Sequence, residues 1–181
     1  MRIASLLAAL LVLLPLTACQ RSLEEHEVLE FIEKADNAAR KRFAPEICEL
    51  RGENFELHLT FQGHEQQVEP TELTIDRKLF CKEAGKFSRL RQYRLERNSI
   101  DIDVANDGKT ARVTSEYVET MPYYYPDMIP STPDDFQHFQ VVETTDESVV
   151  GIESGDIVFL RSDCNSSQSL VGKSSISLPY D

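Results

Sequence analysis

Glu119 follows Tyr117 by two residues in "TARVTSEYVETM", and both fall on the parity of Ala111 and Val113, the apolar side of that alternating stretch. A carboxylate turned inward there loses hydration. Its pKa rises, and it can serve as a base near neutral pH. Glu143 shares parity with Val141 and is a third candidate for the same interior. The competing reading is that sheet twist carries these residues out to a solvated rim. His58, His64 and Glu65 surround a turn and have metal-binding side chains. His58 falls on the polar side of its strand, however, so the surface reading is preferred and no metal or other cofactor is expected. No serine sits in a nucleophile elbow, and no glycine-rich phosphate loop occurs. Tyr123, Tyr124 and Tyr125, in "YYYPDM", offer large apolar area with polar tips, and the nearby prolines stiffen them in advance. That chemistry is binding, although the tyrosines could equally cap an open sheet edge.

These residues need elements to position them. "SLEEHEVLEFIEKADNAARKRF" has helical periodicity, with Val28, Ile32, Ala35, Ala39 and Phe43 on one face. Ser22 and Glu25 form a candidate capping box, and Pro45 ends the element. "PEICEL" suggests a second, short helix. "NFELHLTF" alternates strictly, and "QQVEPTELTI" returns beside it, with Pro70 marking an edge or bulge. A short helix is expected from Asp76 to Ala84, stopped by Gly85. "YRLERNSIDIDV" and "TARVTSEYVETM" flank the Asp-Gly turn of "NDGK". Tyr93 and Leu95 lie on the opposite parity to Ile100, Ile102 and Val104, which predicts a bulge between 95 and 100. Two further strands, "QHFQVVETTDESVVGI" and "DIVFLRSDC", follow a proline-studded connection from Met121 to Phe136. The serine-rich end, residues 165–181, reads as a loosely ordered tail.

The expected class is α+β: a long N-terminal helix and short helices packed on a curved, mainly antiparallel sheet of about six strands. The order of elements and the phrase "NSIDIDVANDGKTARVTSEYVET" resemble the nuclear-transport-factor-like, or SnoaL-like, fold over residues 22–164. That resemblance implies a cone with an open mouth wrapped around the first helix. It also implies, for the enzymes of the family, an Asp/His or Asp/Arg group inside the cone. No matching motif is present to carry over.

The start of the chain has a chemistry of its own. Arg2 precedes "IASLLAALLVLLPL", an uncharged run of signal-peptide length, and "LTAC" follows. The pattern Leu16-Thr17-Ala18-Cys19 resembles the lipobox of bacterial lipoproteins. The resemblance implies cleavage after residue 18, a lipidated Cys19 as mature N-terminus, and a domain over 19–164 tethered to a membrane. Gln20, rather than Asp, implies the outer membrane, facing the periplasm. Two or more acyl chains make such an anchor stable.

The full chain carries −12; removing residues 1–18 takes away one basic residue and leaves −13. A domain this acidic repels nucleic acid and is soluble. After Cys19 three cysteines remain, Cys48, Cys81 and Cys164, which in an oxidising compartment suggests one disulfide and one thiol. Loop length does not choose the pair: closing 48 to 81 contributes about 3.7 kcal/mol and closing 81 to 164 about 4.6 in the chain-entropy model. Cys48 and Cys81 both lie in short helical segments beside the first hairpin, which favours that pair. Two functions stay open. The favoured one is a non-catalytic envelope module that binds a protein or small ligand. The alternative is a small isomerase, dehydratase or hydrolase working inside the cone.

Overall fold

The computed structural model describes residues 21–63, 69–87, 92–123 and 138–172. Among these residues are three helices, α1 (Glu25–Lys41), α2 (Ala44–Glu49) and, after the second strand, α3 (Arg77–Phe87). Six strands, β1 (Arg51–Gln62), β2 (Thr71–Asp76), β3 (Arg94–Val104), β4 (Thr110–Pro122), β5 (His138–Glu153) and β6 (Asp156–Gly172), form one sheet in the order β2-β1-β6-β5-β4-β3. Every neighbouring pair is antiparallel except β1 and β6, so the sheet is mixed but mainly antiparallel as expected.

Helix α1 forms because its apolar positions return every three to four residues, and it buries Val28, Phe31 and Ile32 against the curled sheet. Its cap sits later than expected: the Glu24 backbone N–H donates to the Glu27 carboxylate at 3.1 Å. Ser22 instead packs at the β3–β4 turn. There Gly108 has φ +63°, and a Cβ on it would lie 1.8 Å from Ser22 Oγ. Leu23 N–H donates to the Gly108 carbonyl at 2.8 Å, tying the chain's entry to this turn.

Asp76 caps α3 by accepting from the Leu79 N–H at 2.7 Å. The helix runs through Gly85, past the expected stop, because Phe87 beyond it packs edge-on against Tyr93 at 4.5 Å. Helices α2 and α3 are joined by the Cys48–Cys81 disulfide, with Cα atoms 5.3 Å apart. Cys164 is the free thiol among the described cysteines.

The bulge expected in β3 falls between Arg97 and Ser99. It turns Leu95, Arg97, Ile100 and Ile102 to one face despite their mixed parity. The expected tail is corrected in part. Residues 165–172 continue β6, paired with β5 on one side and with β1 as far as Ser167 on the other. Serine is a poor strand former, but Ser166 has a hydroxyl partner on β5 and two neighbouring strands to pair with. Residues 173–181 lie outside the described set, as do Cys19, Tyr124 and Tyr125.

Candidate ligand-binding site

Strand register arranges the inner face of the sheet in layers. At the closed base, Ala111, Val150 and Phe159 lie side by side, and Phe31 from α1 packs on Phe159 at 4.8 Å. One layer up come Val113, Ser148 and Ser162, with Leu57 beside Ser162. Then come Ser115, Asp146 and Cys164, with Leu59, followed by Tyr117, Thr144 and Ser166, with Phe61. Glu119 and Val142 come next, and Met121 and Gln140 stand nearest the mouth.

Above the base the layers enclose a cavity of about 480 Å³. Its two walls differ in chemistry. The β1–β2–α3 side is apolar: Leu57, Leu59, Phe61, Ile75, Phe80 and Phe87. The β4–β5–β6 side is a band of hydroxyls and acids that satisfy one another. Thr144 Oγ1 and Ser166 Oγ are 2.8 Å apart, and Ser148 Oγ and Ser162 Oγ are 2.7 Å apart. Asp146 accepts from Ser148 Oγ at 2.8 Å and from Cys164 Sγ at 3.3 Å. Burial raises the Asp146 pKa above the usual carboxylate range, against the lowering effect of these bonds and of Arg97 and Arg51. Burial likewise pushes the Cys164 thiol well up, which keeps it protonated and unreactive.

At mid-depth, between α1 and β3, a carboxylate–guanidinium pair closes one side. Arg97 donates from Nε to Asp36 Oδ2 at 2.9 Å, from Nη2 to Asp36 Oδ1 at 2.6 Å, and from Nη1 to Ser115 Oγ at 2.6 Å. Burial works against the Arg97 charge, but Asp36 outweighs it and holds the pKa above its ordinary value. The guanidinium also lies over the Tyr117 ring, 5.3 Å from its centroid. On the same β3–β4 side, nearer the mouth, Tyr93 donates its hydroxyl to Glu119, and burial raises the Glu119 pKa despite that bond.

Of the residues singled out in the sequence, Tyr117 and Glu119 line this cavity. Glu143 does not, which corrects the expectation: it is exposed on the outer face, beside Glu116 and Thr145. The inward residues of β5 are Val142, Thr144, Asp146, Ser148 and Val150. Tyr123 is described, at the end of β4, where its N–H donates to the His138 carbonyl at 3.1 Å. The remainder of the tyrosine- and proline-rich connection lies outside the described residues. His58 sits on the outer side near Glu56 and Asp163, 3.6 and 4.0 Å away, and no cluster of three or more potential metal ligands occurs among the described residues.

Asp36, Arg51, Arg97 and Asp146 were not singled out in the sequence. Asp36 had a signal, standing four residues after Ile32 on the buried stripe of α1. Arg97 is two residues from Leu95 and shares its parity.

No protein-family model and no curated protein sequence matches the chain. Solved structures do. A protein of Novosphingobium aromaticivorans assigned as a scytalone dehydratase superposes with a TM-score of 0.57 at 13% identity, over 80% of this chain and 83% of that one. LinA gives 0.57 at 6% identity over 85% and 92%. An NTF2-like protein of Cytophaga hutchinsonii gives 0.53 at 10% identity over 80% and 99%. The fold is that of the NTF2-like proteins. At these identities the likeness concerns the fold alone.

Proposed function

We propose that this chain is a lipid-anchored protein of the bacterial cell envelope that binds a small molecule inside its cone. The observation that carries the reading is the two-sided cavity. An apolar wall faces a polar band in a space of about 480 Å³, within the size range of small-molecule sites. A sheet interior needing only to hold a fold would be filled with aliphatic side chains at these layers. The anchor would be Cys19. Only a few residues separate it from Leu23, which is bonded to the β3–β4 turn at the base. Four residues span at most about 14 Å, so the lipid would hold the base near the membrane and point the mouth away from it. Periplasmic, outer-membrane placement follows from the same reading of the leader.

A second reading has one observation in its favour. Glu119 is a partly buried carboxylate with a raised pKa at the cavity, beside the Tyr93 hydroxyl, and could abstract a proton. It would make the chain an enzyme, and Glu119→Gln would then abolish turnover while leaving ligand affinity largely intact.

Fluorine NMR of the full chain, labelled with fluorotyrosine and held in detergent micelles, tests the cavity reading. Small aromatic compounds should move the Tyr93 and Tyr117 resonances, assigned through Tyr→Phe variants, and leave the others in place. Movement confined to Tyr123, Tyr124 and Tyr125 would put the site on the connection instead. For the anchor, palmitate labelling should mark the unaltered chain and not Cys19→Ser; equal labelling would refute it.

A further inference from the structure

Arg51 begins β1, lines the cavity, and is stacked among aromatic rings. Its Cζ lies 4.2 Å from the ring centroid of Phe159, 4.7 Å from that of Phe80 and 5.2 Å from that of Phe55. Ring faces attract the cation and offset part of its lost hydration. They do nothing for the N–H groups in the guanidinium plane. Nε and Nη1 are enclosed and have no hydrogen-bond partner. Burial lowers the pKa of Arg51 from 12.5 to about 10, so the group stays charged at neutral pH.

The rest of the lining does not neutralise this charge by contact. Asp146, Tyr117 and Cys164 act on Arg51 through space. The Asp146 oxygens accept from Ser148 and Cys164 instead. The other cation among the described lining residues, Arg97, is held by Asp36 through two hydrogen bonds. Among the described residues the cavity therefore contains one planar cation with unused in-plane donors, the geometry that suits a carboxylate. A dianion such as a phosphate monoester would need a second free cation and would face Asp146 and Glu119. A neutral ligand would leave the guanidinium unmatched.

Resting on the reading of the cone as a binding site, we infer that its ligand is a small monocarboxylate with an apolar body. The carboxylate accepts from Arg51. The body lies along Leu57, Leu59, Phe61 and Phe87, with the hydroxyl band of β5 and β6 opposite.

The test pairs para-butylbenzoate with para-butylbenzamide, equal in shape and different in charge, by calorimetric titration of the full chain. The acid should bind roughly tenfold or more tightly than the amide, the discrimination expected of one charge-assisted pair. Arg51→Met keeps the stem among the rings and removes the charge. It should erase the preference by weakening the acid while leaving the amide within about twofold, a difference too small to count as a lost interaction. The Arg51 Nε resonance of the unmutated protein provides a readout that does not depend on the variant folding. It should shift with the acid and stay still with the amide. Equal binding of acid and amide, a preference that survives in Arg51→Met, or a stationary Nε resonance would overturn the inference and leave the cone reading intact. Binding of neither compound would overturn both.

Discussion

The base and the upper cavity of the cone are built from the same strands and the same inward positions, and they differ only in layer. At the base, Ala111, Val150, Phe159, Val28, Phe31 and Ile32 bury apolar surface together. Above, the same strands turn Ser115, Thr144, Asp146, Ser148, Ser162 and Ser166 inward, all of them buried. Burying hydrocarbon contributes about 25 cal/mol per Å². Burying a hydroxyl or carboxyl costs free energy unless it is paired, and pairing restores little more than what was lost. The base accounts for stability; the upper layers carry groups a fold alone would not select.

The largest effect should come from the base. Phe31→Ala removes the ring that packs on Phe159 and should cost about 3–5 kcal/mol, read by urea unfolding. Thr144→Val with Ser166→Ala, which removes both members of a buried hydroxyl pair, should change stability by about 1 kcal/mol or less. Comparable losses from the two would erase the distinction between the regions.

The disulfide comes next. It joins α2 to α3, whose Phe80, Ala84 and Phe87 form part of the apolar wall. Replacing Cys48 and Cys81 together by Ala should lower stability by about 3.7 kcal/mol in the chain-entropy model. An unchanged unfolding midpoint would show that the wall holds without it.

The Asp36–Arg97 pair sharpens the contrast, because it is the polar feature with the most to lose. Its side chains are 10% and 18% exposed. Asp36→Asn, which leaves Arg97 with an unmatched charge, should cost about 3 kcal/mol. The double replacement Asp36→Leu with Arg97→Met should recover most of that. If the double variant is as unstable as the single one, the pair supports the fold in a way an apolar replacement cannot reproduce.

The smallest effect is a pH dependence. Burial raises the pKa of Asp146 and of Glu119, so each binds its proton more tightly folded than unfolded. Their contribution to stability is full below the unfolded carboxylate pKa and is lost as pH rises through the raised folded values. Asp146→Asn cannot ionise. Its melting temperature should therefore fall less than that of the unaltered chain between acidic and neutral pH. Parallel melting curves across that range would contradict the raised value.

Much of the fold could be read in the sequence, because burial imposes period and the periods were clean. The long helix and the β3 bulge rested on side-chain spacing, and the β3–β4 hairpin on its Asp-Gly pair. The site was less legible, and β5 shows why. Val141 and Val142 are adjacent, as are Val149 and Val150, so the apolar pattern of this strand marks both parities at once. Between them the inward residues are Thr144, Asp146 and Ser148, which look like an outer face. Glu143 was chosen for the same reason that Asp146 was missed. The β6 extension through 165–172 was hidden in the same way: Ser166 turns inward while Ser167 and Ser169 are exposed, so no apolar alternation marks the strand.

The central claim is that the upper cavity, and neither the base nor the outer face of the sheet, takes the ligand. Intermolecular NOEs from para-butylbenzoate to the methyl groups of the full chain test it most directly. The account predicts NOEs to Leu57, Leu59 and Val142, which line the cavity, and none to Val28 or Ile32 in the packed base. NOEs to Val118, which borders the hollow on the outer face, without any to Leu57, Leu59 or Val142, would contradict it.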